Sequence, residues 1–121
     1  MKNKKTLIYL LSGLIPTLIF FICSIIVGYI PFGNEMINVY DSFTQYPGML
    51  LEYARLLKIG NIFYSWNAGL GFNFFGTLTY YCASPLNLTS LLATPKNYPY
   101  YIMIMTYIRF FLLGTSMCFY L

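Results

Sequence analysis

The chain reads as an all-α integral membrane protein, with two transmembrane helices joined by an external loop that carries short amphipathic, interfacial helices. Three observations predict this class. No charged residue stands between Thr6 and Asn34, a second apolar run from Tyr98 to Leu121 carries only Arg109, and the 121 residues are 59% hydrophobic but 8% charged, with mean hydropathy +0.65. A soluble domain of this size would lack the polar surface that water requires.

Residues 1–6 form a basic N-terminus with Lys2, Lys4 and Lys5. The first span follows over residues 7–30, enough at ~1.5 Å per helical residue to cross a hydrocarbon core of roughly 30 Å. A cleaved signal peptide would want an apolar stretch of about 7–15 residues ending in a small-x-small site. Ile25 to Pro31 offers no such site, and Phe20-Phe21-Ile22 ahead of Cys23 is too bulky for lipoprotein processing. An uncleaved anchor is expected. Lysines beside a span resist translocation, which places the N-terminus in the cytoplasm and residues 31–97 outside. The net charge of +4 points to no nucleic-acid partner, because three of the seven basic residues belong to the topogenic cluster and the rest are scattered. The lipid bilayer is the partner the composition implies. The second span, residues 98–121, returns the chain inward and ends within apolar sequence, so the expectation is the N-terminal piece of a longer multi-pass protein whose remainder is missing.

The external segment is too apolar for a free loop and too often broken by Gly, Pro and Asn for another span. A helix is predicted over about 47–59: Leu50, Tyr53, Ala54 and Leu57 share one face, Glu52, Arg55 and Lys58 the other, Pro47 opens it and Gly60 caps it. Such a helix is expected to lie at the headgroups with its charged stripe toward water. Glu52 with Arg55 reads as a solvated i,i+3 pair worth ~0.2–0.5 kcal/mol. A second interfacial helix is predicted over about 85–94, with Ser84 as N-cap, Pro85 in its first turn and Pro95 beyond its end. Between them, Tyr64 and Trp66 read from composition as a headgroup-level aromatic belt. The Gly69-Leu70-Gly71 triplet allows unusual backbone or close approach of another chain or ligand. Asn87-Leu88-Thr89 matches a glycosylation sequon.

The inventory limits the chemistry. With no histidine and three acids, histidine triads and His-containing zinc sites are excluded within the chain. Cys23, Cys82 and Cys118 have no Cys-x-x-Cys spacing and read as buried spectators, not as a metal site. Asp41, among Tyr40, Phe43 and Tyr46 just outside the first span, is either a general base with raised proton affinity or a turn cap facing water. Arg109, at mid-span, either faces a protein interior where it could receive a phosphate or snorkels to the surface.

The order of the residues adds a resemblance. Asp41-Ser42-Phe43-Thr44-Gln45-Tyr46, Tyr64-Ser65-Trp66-Asn67-Ala68-Gly69-Leu70-Gly71-Phe72-Asn73 and Tyr80-Tyr81-Cys82-Ala83-Ser84-Pro85-Leu86-Asn87 closely resemble the start of bacterial YfhO-like membrane proteins. The likeness covers essentially the whole chain. It implies a bacterial cell-membrane protein similar to GT-C glycosyltransferases, which move a sugar from a polyprenyl-phosphate carrier to an acceptor on the outer face, with a cell-wall polymer such as a teichoic acid as acceptor. By that resemblance Asp41 takes the acceptor proton or helps hold a metal ion. Gln45 and Tyr46 position sugar or acceptor, Trp66, Gly69, Gly71 and Asn73 line the pocket, and Arg109 neutralises the departing phosphate. A divalent cation is compatible with this chemistry, but one outer acid cannot build its site unaided, and the sequence shows no metal ligands beyond it. Two other classes stay open: a transporter or flippase with Asp41 and Arg109 on the substrate path, and a non-catalytic membrane subunit whose aromatic loop packs on partner helices.

Overall fold

A computed structural model of the chain describes residues 2–37 and 44–121. The order is α1 (Lys2–Val27), α2 (Tyr46–Ile59), a short antiparallel pair β1 (Tyr64–Ser65) and β2 (Phe72–Asn73), a helical turn Phe75–Thr77 continued by a π-helical stretch Leu78–Cys82, a 3-10 helix Pro85–Leu92, and α3 (Tyr98–Tyr120). The chain divides into two units, residues 1–36 with 102–121 and residues 37–101.

The first unit is a helical pair. Lys4–Val27 and Tyr98–Tyr120 are each long and apolar enough to cross a membrane, and only 11% of either apolar window is buried. That distinguishes them from the core helices of a soluble protein. Leu7, Ile15, Ile19 and Ile26 of α1 and Ile104 and Leu113 of α3 turn outward, as a lipid solvent favours. The two helices meet through small residues. A Cβ placed on Gly114 would collide with the Ser12 carbonyl oxygen, and one on Gly13 would come within 2.7 Å of the Phe111 carbonyl oxygen. Pro16 stands inside α1 and has no N–H to give the Ser12 carbonyl four residues back. That freed carbonyl is the one lying against Gly114. Close backbone approach of this kind, with Thr115 Oγ1 reaching Tyr9 O at 3.4 Å, is how apolar helices associate where no hydrophobic force drives them together. Aromatic contacts of Phe20 with Tyr107 and Phe110 at ring distances of 5.1 and 4.8 Å fill the next layer.

The second unit is built on α2. Pro47 stands in its first turn, and Gly60, at φ 73°, takes the left-handed cap position. The Gly60 N–H reaches Leu57 O and the Asn61 N–H reaches Leu56 O, the pair of hydrogen bonds that closes a Schellman end. Leu56 is fully buried while Leu57 is half-buried, so the buried face is Leu50, Tyr53, Ala54 and Leu56. It packs on the 3-10 and π-helical stretches, whose Cys82, with Phe74 just ahead of them and Ala93 just after, completes the core.

Three local expectations change. Ser84 makes no side-chain cap, and the element after it is a 3-10 helix that ends at Leu92. A reciprocal cap forms instead at Thr94 and Asn97: Thr94 Oγ1 accepts the Asn97 N–H at 3.3 Å and Asn97 Oδ1 accepts the Thr94 N–H at 2.6 Å. Asn87 is 1% exposed and donates its amide to Tyr81 O at 3.0 Å, so its sequon is closed to a transferase in the fold. Of the cysteines only Cys82 is buried. Cys23 is exposed and Cys118 half-buried, and all three thiols are free.

Candidate functional site

Among the described residues of the second unit Glu52 is the sole carboxylate, and it accepts hydrogen bonds from three side chains. Arg55, one turn on, donates Nε to Oε2 at 2.9 Å and Nη2 to Oε1 at 2.6 Å. Ser65, fully buried at the end of β1, gives its hydroxyl proton to Oε1, and the Asn67 amide donates to Oε2 at 3.4 Å. Ser65 Oγ accepts the Asn67 N–H at 3.1 Å, which fixes the chain between the two.

The Glu52 side chain is 13% exposed against 42% for Arg55, so the pair is not the solvated one that helical spacing predicts. The reason is tertiary: residues 65–67 close over the carboxylate, and spacing along α2 reports only that helix's own surface. The Arg55 hydrogen bonds, above all, hold Glu52 below the ordinary carboxylate range. Burial opposes them, and Ser65 and Asn67 add to the lowering. The same contact pushes the Arg55 guanidinium up. With both oxygens occupied by N–H and O–H donors, Glu52 is an orienting carboxylate and not an available base.

Glu52 forms one wall of a groove of about 400 Å³ whose lining includes Thr44, Gln45, Gly48, Asn67, Phe72 and Phe74. Gln45 accepts the Tyr81 hydroxyl on Oε1 at 3.0 Å, which directs its amide NH₂ elsewhere. Tyr46 stands edge-on to Tyr81 with ring centroids 5.4 Å apart. Asn67, having spent an N–H on Glu52, keeps its carbonyl oxygen as an acceptor. Amides of both polarities beside aromatic faces suit a ligand rich in hydroxyls.

The structure thus brings Gln45 and Tyr46 to one end of α2, with Gln45 in the groove. Asp41 lies outside the described residues. Trp66 is 76% exposed and stands edge-on to Tyr64 at 5.0 Å, off the groove lining. Gly71 has φ 103°, and a Cβ there would meet Tyr64 Oη at 2.6 Å and the Trp66 ring at 3.1 Å. Glycine is required by both conformation and space. Gly69 shares that turn. Asn73 pairs with Tyr64 across the strands and accepts the Phe75 N–H on Oδ1 at 3.0 Å. With Phe63, Tyr64 and Phe75 it lines a shallow second depression of about 430 Å³. Arg109 is half-buried on α3, within the helical-pair unit and not the unit that holds the groove. Among the described residues no three His, Cys, Asp or Glu side chains gather, and a cation at Glu52 would have to displace the donors that fill its oxygens.

Ser65 and Asn67 are the candidate-site residues that spacing alone does not single out. Their signal is faint: a hydroxyl and an amide two positions apart in a stretch without charge, thirteen and fifteen residues after an acid. No curated protein and no solved structure matches the chain. The family model described as bacterial membrane protein YfhO matches residues 12–121, a range that takes in most of α1 and all of the groove and α3. The chain therefore belongs to the YfhO family of bacterial membrane proteins.

Proposed function

We propose that this chain contributes its two spans and the segment between them to a membrane glycosyltransferase of the GT-C kind. The enzyme moves a sugar from a polyprenyl-phosphate carrier to a cell-surface acceptor such as a teichoic acid. The N-terminus lies in the cytoplasm and residues 31–97 outside, where the acceptor is. The observation that carries the proposal is the groove beside Glu52. Its amides, its held carboxylate and its Phe72 ring, 39% exposed, make a bed for a polyhydroxylated ring, and its lining begins at Thr44, three positions after Asp41 in the sequence.

In this scheme the groove holds the sugar and Glu52 keeps Asn67 in place against it. Asp41 takes the proton of the acceptor hydroxyl as that oxygen attacks the anomeric carbon. The bond from that carbon to the phosphate oxygen breaks with inversion, and the carrier phosphate leaves with the electron pair; the resemblance to GT-C enzymes assigns its neutralisation to Arg109. Glu52 is a poor alternative base because its donors favour the ionised form. The Trp66–Gly71 turn borders the groove through Asn67 and Ala68.

The test is transfer from a labelled polyprenyl-phosphate sugar by the membrane-inserted protein. Asp41→Asn is expected to abolish transfer at unchanged membrane abundance. Retained transfer removes Asp41 from the reaction, and movement of the carrier across the bilayer without transfer would favour a flippase.

A further inference from the structure

Leu70 is 98% exposed and has φ 65°, the left-handed region that a branched side chain enters at a cost and that glycine or asparagine enters readily. It is the sole non-glycine residue at positive φ among the described residues. Two unfavourable features therefore meet in one side chain. Either would be relieved by asparagine, so the leucine needs an apolar environment that the described fold does not supply.

We propose that the Trp66–Gly71 turn is a lipid-inserting tip, with Leu70 entering the acyl region and Trp66 seated at the headgroups. Three observations select lipid over a protein surface. First, the chain from Ile59 to Pro95 contains no charged residue at all, so insertion of the turn carries no ionised side chain out of water. Second, the exposed large hydrophobic side chains beside Leu70 are Phe63, Tyr64, Trp66 and Phe72, and tryptophan and tyrosine are enriched at membrane interfaces. Third, the chain on either side of this unit runs into α1 and α3, both apolar enough to cross a membrane, so the turn is tethered within reach of a bilayer. Gly69 and Gly71 flank Leu70 at φ 55° and 103°, which lifts the leucine clear of the unit as a single protruding residue. The inference is independent of the transfer reaction.

Trp66 is the sole tryptophan in the sequence, so its emission reports on this turn directly. The chain reconstituted in phosphatidylcholine vesicles is expected to emit at short wavelength, to resist aqueous acrylamide and to be quenched by lipids brominated near the carbonyls. Leu70→Asn keeps the backbone conformation and removes the apolar tip. It should reduce bromine quenching at least about twofold, because the transfer free energy of a leucine side chain corresponds to more than about tenfold in the inserted population. Leu70→Met, similar in size and apolar, should retain it. Quenching that is equal in Leu70→Asn and the parent overturns the proposal. So does emission that acrylamide quenches freely, or that neither quencher reaches, the last being the signature of a protein partner.

Discussion

Glu52 on α2 and Ser65 at the end of β1 are thirteen residues apart and share a hydrogen bond in which the buried Ser65 hydroxyl donates to the carboxylate. This bond ties the hairpin turn to the helix. Asn67 is held by both partners, its N–H donating to Ser65 Oγ and its side-chain amide to Glu52, so the three residues together support one wall of the groove.

Replacing Glu52 with alanine is expected to destabilise the second unit by about 1–3 kcal/mol, the cost of leaving a buried hydroxyl without its acceptor. Thermal unfolding in detergent or lipid checks the figure. The pH dependence has a definite sign. Glu52 is held below its ordinary value in the folded state, so its contribution is complete above the unfolded carboxylate pKa of ~4.3 and is lost as pH falls through the lower folded value. The parent and Glu52→Ala should therefore converge in strong acid, and a gap that widens there contradicts the assignment.

Two glycines should respond in opposite directions. Gly114→Ala drives a methyl into the Ser12 carbonyl, which is backbone and cannot swing aside, so the helical pair should lose about 1–3 kcal/mol. Gly48 lies in the first turn of α2 with nothing within 4 Å of an added Cβ, and alanine there should stabilise by up to ~0.5–1 kcal/mol. Unfolding of both variants in one detergent, followed by helicity, makes the comparison.

What the sequence discloses here is what local physics decides. Charge-free length announces the spans, Pro47 and Gly60 mark the ends of α2 because their backbone preferences hold in any context, and the family motifs are written in residue order. Contacts across the chain leave no such trace. Glu52 and Arg55 look like a surface pair until residues 65–67 are folded over them, and Leu56 looks no more central than Leu57 until the 3-10 and π-helical stretches pack on α2. Ser84-Pro85 announces a short helix with Ser84 as its cap, yet Ser84 makes no side-chain cap and the helix is of the 3-10 kind, with Asn87 turned inward to Tyr81 O. The crossing of Gly13 with Gly114 is equally hidden, since lone glycines a hundred residues apart acquire meaning only as partners.

Cys82 should resist alkylation in the folded chain. It is fully buried, and burial pushes its thiol up to about 11, leaving a thiolate fraction of only about 10⁻³–10⁻⁴ near neutral pH. In a variant that keeps Cys82 alone, through Cys23→Ser and Cys118→Ser, maleimide labelling followed by mass should run at least about 100-fold slower than in denaturant. Labelling at the unfolded rate would mean that the α2 core opens readily.

Asn67 lines the groove beside Glu52 and donates its amide to that carboxylate, and two substitutions divide its roles. Asn67→Ala removes the amide contact. Asn67→Asp removes it too and brings a second carboxylate toward one already crowded with donors. At neutral pH the aspartate variant should be the less stable of the two, by about 0.5–1 kcal/mol, since the position is solvent-exposed and screened. Two carboxylates in contact raise the apparent pKa of their shared titration, and the introduced carboxyl group, once protonated, can donate to Glu52 as the amide does. The difference between the variants should therefore shrink or reverse as the pH is lowered through that raised value, while Glu52 is still ionised. A difference in melting temperature that stays constant between neutral pH and pH ~4 would show that Asn67 does not face the Glu52 carboxylate, and the groove would lose the wall on which the sugar-binding proposal rests.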